Sequence, residues 1–257
     1  MTSTPWKGAL FAALMLAGTP PLLAQEAAPS ADPYADRDAA VDFIRVILAA
    51  TEDVWAAAFE AGSFVSLGQR RDQRYAPPIT NAYDHAVSSA CGPILSEYGP
   101  QYCEQDSMIY FDPSFFQTMS IRHQAPGDFG YAYVIAHETT HHVQKSLGIL
   151  EASNARAAAR PETANSESIR VELQADCLAG VWSKAVVTRF KVDDADVREA
   201  LNAVLAFGVD TMQRREQGFT SPETYTHGTS AQRLRWFQRG FDSSNPARCD
   251  TFSVAAL

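Results

Sequence analysis

The stretch "AHETTHHVQ", Ala136–Gln144, places three histidines and a glutamate within six consecutive positions, in a chain of 257 residues that has six histidines in all. It holds no proline or glycine, and the spacing predicts a helix from about Asp128 to Gly148. On a helix His137 and His141 share one face, with β-carbons about 5–6 Å apart. Two imidazoles so placed can converge on one ion at the zinc–nitrogen distance of about 2.0–2.1 Å. Glu138 lies about 100° around the axis. It is off the ligand line, in reach of a water on the ion's open side, which is the physical content of an HExxH motif. His142 points about 100° away from His141 and reads as a surface or supporting residue.

A third ligand is needed, with one position left for water. The best candidate is Glu172 in "VELQADCLAG", with Asp176 four residues on, where a carboxylate can hydrogen-bond the outer nitrogen of a ligating histidine. Three alternatives stay open: direct ligation by Asp176, by Cys177 or by Glu167. The competing reading of the whole cluster is an exposed polar helix face with Glu172 salt-bridged to Arg170.

Working outward, Lys7 is the only charge in the first 24 residues, and "GALFAALMLAG" is an apolar run of signal-peptide length that ends at Gly18, Pro20 and Pro21. It is too short to span a bilayer and reads as a cleaved export signal, residues 1–24. Its removal makes the chain one unit more negative than its formal net charge of −9. An acidic surface disfavours nucleic acid and anionic membranes. The arginines of "RLRWFQRGF" (Arg233, Arg235, Arg239) are read as carboxylate partners, with Trp236 and Phe237 as packing. The expectation is a periplasmic or secreted protein with no stable membrane insertion. Export makes disulfides possible. Four cysteines allow three pairings. The favoured one joins Cys91 to Cys103 as a local loop and Cys177 to Cys249 as a long-range tie.

Residues 25–37 read as a disordered leader. Val41, Ile44, Ile47, Leu48, Trp55 and Phe59 recur at helical spacing up to Gly62. "SMIYF", 107–111, reads as a strand with an edge for an extended peptide. A polar loop is expected over 151–165, and a helix over about 166–190. Another helix starts at Asp194, with a stripe running through Val197, Leu201, Val204, Leu205 and Met212. A last one starts after the capping box Thr229–Gln232. The expectation is one domain, 38–250, mainly α with a small β-sheet (α+β), followed by a tail, 251–257.

Three blocks, "AHETTHHVQ", "VELQADCLAGVW" and "THGTSAQRLRWFQRGF", resemble in this order the bacterial neutral zinc metallopeptidase family within the gluzincin-like HExxH enzymes. "ATEDVWAAAF" and the region around "GPQYCEQDSMIYFDPSFF" are also similar. The resemblance implies a zincin-like core, with an HExxH helix and a following glutamate helix. It implies one zinc ion per chain held by His137, His141 and Glu172, with Glu138 as catalytic glutamate and Asp176 as supporting acid. Thr139-Thr140 stands where the family usually has Val-Gly. "PPITNAYDHAVSSACG" lacks the apolar strand expected ahead of the cysteine.

The expected activity is hydrolysis of a peptide or protein substrate. His227 is the first choice and Tyr225 the second for a donor to the oxyanion, both preceding the last helix. The rivals are a non-catalytic zinc clamp, which would need a fourth protein ligand such as His142 or Cys177, and a zinc hydrolase of a non-peptide amide.

Overall fold

The computed structural model describes residues 36–187 and 189–257. The expected signal peptide and the leader up to residue 35 lie outside the described residues. Eight α-helices and five short strands make the described chain mainly helical with a small sheet. Helix α1 spans Arg37–Glu60. The Asp36 side chain accepts from the N–H groups of Asp38 and Ala39 and so caps free donors of its first turn. The last two residues assigned to the leader, Asp36 and Arg37, thus begin the folded domain. The helix ends at Ala61, and Gly62 follows in the left-handed region (φ 68°).

Four strands arise where little was expected: β1 (Ile79–Ala82), β2 (Ala86–Ser89), β3 (Gly92–Leu95) and β4 (Gln101–Cys103). The fifth, β5 (Met108–Phe111), matches the apolar run. β2 and β3 form an antiparallel hairpin. The other sheet has the order β1-β5-β4, with β1 parallel and β4 antiparallel to β5. β5 is therefore central and offers no free edge, contrary to the expectation for 107–111. The free edge beside the helices belongs to β4.

Helix α2 (Phe115–Ile121) leads to α3 (Asp128–Ser146), which carries the histidine cluster and stops before Gly148 in the left-handed region (φ 75°). The segment read as a polar loop is helix α4 (Ile149–Ala159). It has no marked apolar face, and its alanines favour helix without any periodic signal. α5 spans Ala164–Val187. α6 (Asp194–Ala206) starts with a capping box of Asp193 and Asp196. The expected stripe does not continue to Met212 on one helix. The chain breaks at Gly208, whose backbone is extended and packs so closely on Ser230 that a side chain there would overlap it, and resumes as α7 (Val209–Gln217). α8 (Ser230–Ser243) carries the expected capping box of Thr229 and Gln232.

The main core lies between α1, α3, α5 and α8, around Trp55, Phe59, Tyr131, Trp182 and Phe237, all at most 2% exposed. α5 and α8 touch backbone to backbone. A β-carbon on Gly240 would overlap the Cys177 carbonyl oxygen, and one on Gly180 would overlap that of Phe237. Two disulfides fasten the ends of this arrangement: Cys177 on α5 to Cys249, and Cys91 at the hairpin tip to Cys103 in β4. The segment 251–257 is no loose tail. Thr251 is fully buried, its hydroxyl donates to the Arg170 carbonyl at 2.7 Å, and Arg170 donates back to the carbonyls of Thr251 and Val254. Among the described residues no helix is long and apolar enough to cross a membrane.

The α5–α8 contact leaves no room for a methyl group. Gly240→Ala is expected to destabilise the fold by about 2–3 kcal/mol through overpacking, measured as a lowered urea midpoint at unchanged m-value.

Candidate metal centre

α3 presents its residues as adjoining stripes. His137, His141 and Gln144, at i, i+4 and i+7, face α5. The Nε2 atoms of His137 and His141 lie 3.2 Å apart. Glu172, on α5, places Oε2 3.2 Å from His137 Nε2 and Oε1 3.7 Å from His141 Nε2. Four ligands at about 2.0–2.1 Å on the corners of a tetrahedron stand roughly 3.4 Å from one another, so these three donors have the spacing that a zinc ion requires.

Hydrogen bonding fixes which nitrogens carry protons. Gln144 Nε2 donates to the Val171 carbonyl at 2.8 Å, an atom that can only accept, and to Gln174 Oε1 at 2.9 Å. Its oxygen is thereby turned to His141 Nδ1, 2.8 Å away. His137 Nδ1 lies 3.0 Å from Asp176 Oδ1. Both Nδ1 atoms therefore donate, so both Nε2 atoms face each other and the Glu172 carboxylate, and the position between them goes to a cation: a metal ion, or in its absence a proton on His137. Three electron-rich donors crowded together call for a cation between them, so the residues fit zinc on chemistry as well as spacing.

Behind His137, Asp176 is fully buried. Its Oδ1 accepts from the Tyr133 hydroxyl at 2.6 Å and from an Arg233 guanidinium nitrogen at 2.9 Å, and its Oδ2 accepts from Arg233 Nε at 2.8 Å. Burial pushes the Asp176 carboxyl up, but Arg233 and His137 outweigh it and hold it at about 2. Burial likewise favours neutral His137, yet the carboxylates of Asp176 and Glu172 raise it to about 10. Glu172 is opposed by burial but held well below the usual range by His227, His141 and His137.

Glu138 also comes close to the two rings. Its Oε2, however, is occupied by the Tyr102 backbone N–H at 2.8 Å, while Glu172 spans both imidazoles. Glu138 thus stands beside the donor set. Burial raises its carboxyl above the ordinary value, against the lowering effect of His141 and His137. The site opens into a cleft of about 800 Å³, lined by α3, the 97–102 segment, α7 and His227.

His227 reaches the site. Its Nε2 is 3.7 Å from Glu172 Oε1, and its side chain is half exposed to the cleft. Tyr225 is corrected. It is buried and does not line the cleft, because the short 3₁₀ turn Pro222–Thr224 before it folds its side chain inward. Arg170 is spent on the 251–254 carbonyls, so the proposed ion pair with Glu172 does not form. Glu167 is engaged with Arg156 and Ser153, away from the site. Among the arginines of the last helix, Arg233 does pair with a carboxylate. Arg239 instead donates to the Arg248 carbonyl and lies over Trp236. His142 is buried, not at the surface. Thr139 and Thr140 are fully buried, with both hydroxyls donated back to the Ala136 carbonyl, so the departure at these positions leaves no unpaired group.

Gln144, Tyr133 and Arg233 escaped the sequence reading as parts of the site. A signal existed for Gln144, seven residues after His137 on the ligand stripe. One existed also for Arg233, a cation in the first turns of a helix, where the dipole disfavours it unless an acid awaits.

One helix here brings two imidazoles together with a carboxylate from another helix and a further glutamate alongside, a grouping that could hold a metal ion. A sequence profile of the family described as "putative neutral zinc metallopeptidase" matches residues 11–252, and the chain belongs to that family. It is 42% identical over 233 residues to "Uncharacterized protein YpfJ" of Escherichia coli K12, covering 90% of this chain and 77% of that protein. It is 41% identical over 194 residues to "Uncharacterized protein Rv2575" of Mycobacterium tuberculosis H37Rv, covering 71% of this chain and 65% of that one. No solved structure matches.

Replacing the residue that sets the His141 tautomer has a defined consequence. Gln144→Leu is expected to weaken zinc binding about 10–100-fold, read by competition with a chromogenic chelator, at a far-UV spectrum like that of the wild type.

Proposed function

We propose that this chain is a zinc-dependent peptidase with a zincin-like core, in which His137, His141 and Glu172 hold one zinc ion and Glu138 is the general base. The observation that carries this reading is the pair of facing Nε2 atoms 3.2 Å apart under the Glu172 carboxylate, with Glu138 held next to them but tied to Tyr102. When bound, zinc supplies Lewis acidity, polarising the scissile carbonyl and acidifying the attacking water. Glu138 takes the proton of that water on its free oxygen and hands it to the departing amine. His227 stands at the cleft wall beside Glu172 and donates to the developing oxyanion. Asp176, clamped by Arg233 and Tyr133, keeps the Nδ1 proton on His137 and so aims Nε2 inward. The rim strand β4 gives an extended substrate a wall to lie along, since Gln101 and Tyr102 line the cleft.

A purely structural zinc clamp would need a fourth protein ligand. The two residues expected from the sequence for that place are engaged elsewhere: Cys177 in its disulfide, and His142 with Tyr102 and the Ala76 carbonyl. The two disulfides support export to an oxidising compartment.

The purified protein is expected to hold one zinc per chain and to hydrolyse casein, with loss on chelation and recovery on adding zinc back. Glu138→Gln should keep its zinc while the rate falls about 10²–10⁴-fold. Zinc retained with no hydrolysis by the wild type would sink the peptidase reading. His227→Phe is expected to lower kcat about 10²–10³-fold with little change in KM, measured on a fluorogenic peptide; an unchanged kcat would remove His227 from the reaction.

A further inference from the structure

Another stripe of α3 joins the proposed base to two residues that this chemistry leaves unused. Glu138, His142 and Lys145 stand at i, i+4 and i+7, about 100° around the axis from the ligand stripe. All three reach strand β4 or the turn that follows it. Glu138 Oε2 accepts from the Tyr102 N–H at 2.8 Å, His142 Nδ1 lies 3.0 Å from the Tyr102 hydroxyl, and Lys145 Nζ donates to the Glu104 carbonyl and, at 2.6 Å, to Ser107 Oγ. One residue, Tyr102, is thus gripped twice by the same helix, through its backbone and through its side chain.

The direction of the second grip follows from His142 Nε2, which lies 2.8 Å from the Ala76 carbonyl. A carbonyl only accepts, so Nε2 carries the proton and Nδ1 takes the one from the Tyr102 hydroxyl. The imidazole is further held edge-on between the Tyr75 and Tyr102 rings, with centroids 6.0 and 5.6 Å away. His142 is therefore a rigid post between the 76 segment and β4.

β4 needs such a post. It is three residues long, pairs with β5 on one side only, and is tied through the Cys103 disulfide to the β2–β3 hairpin but not to α3. A strand that short, at the rim of a sheet, moves easily unless something fastens its outer side. Its Tyr102 N–H is the group that fixes one oxygen of the Glu138 carboxylate. We infer that His142 and Tyr102 are positioning residues, which pin β4 to α3 so that the Tyr102 N–H keeps Glu138 aimed into the cleft. The inference rests on the reading of Glu138 as the base.

Tyr102→Phe tests it most gently, because it keeps the ring and the backbone N–H and removes only the hydroxyl. His142→Ala removes the post, and His142→Gln restores an amide that can accept from the hydroxyl and donate to Ala76. Amide exchange of residue 102 in the zinc-loaded protein, zinc content, kcat and KM are measured together. In Tyr102→Phe and His142→Ala the amide at 102 is expected to exchange about tenfold faster and kcat to fall about tenfold, at unchanged KM and one zinc per chain, with His142→Gln recovering part of both. Unchanged exchange or unchanged kcat in both variants would overturn the inference, as would a fall in activity explained by lost zinc. A wild type that hydrolyses nothing removes Glu138 as base. The pin itself is still decided by the exchange at residue 102.

Discussion

The Asp176 carboxylate is the junction on which the rest of the site depends. It has no exposure to water, yet it takes bonds from His137, from the Tyr133 hydroxyl and from two nitrogens of Arg233. Those partners come from α3 and α8, while Asp176 itself belongs to α5. A buried charge deprived of its partner costs about 3–5 kcal/mol, a large share of the roughly 5–15 kcal/mol that keeps a domain folded. The three helices are therefore held in one arrangement by the same carboxylate that sets the proton on His137. Arg233 also donates to the carbonyl of Phe207, at the break between α6 and α7, so the wall of the cleft is tied to the same point.

One helix carries most of the proposed chemistry because its surface is divided by phase. The stripe 137–141–144 makes the donor set and fixes a tautomer, and 138–142–145 grips the edge strand. On the remaining face, residues such as Ala136, Thr139, Thr140 and Val143 are fully buried and seat the helix in the core. The close glycine contact of α5 with α8 then sets how near Glu172 and Asp176 come to these stripes.

Much of this was legible in the sequence where a local rule governs. The limits of α3, the ligand spacing, the start of α8 at its capping box and the strand at 108–111 follow from periodicity and punctuation. Glu172 and Asp176 were legible because they repeat the i, i+4 pattern on another helix. The strands β1 to β4 were not, since they are only three or four residues long and mostly half-buried or exposed, too short for an alternation to read. α4 was missed for the opposite reason, as a helix built on alanine propensity without an apolar face. Tyr225 was misplaced because nearness in the chain to His227 says nothing about which way a turn directs a side chain. The parts played by Gln144, Tyr102 and Arg233 depend on partners 27 to 57 positions away, and no local pattern announces them.

The division of α3 by phase has a consequence for how this protein can change over time. Inserting or deleting a single residue between His137 and Lys145 would turn everything beyond it by about 100°, misdirecting a ligand, a strand anchor and a core residue in one event. That segment can accept exchange of side chains but not a change of length. Growth and trimming of the chain are left to the turns outside the helices.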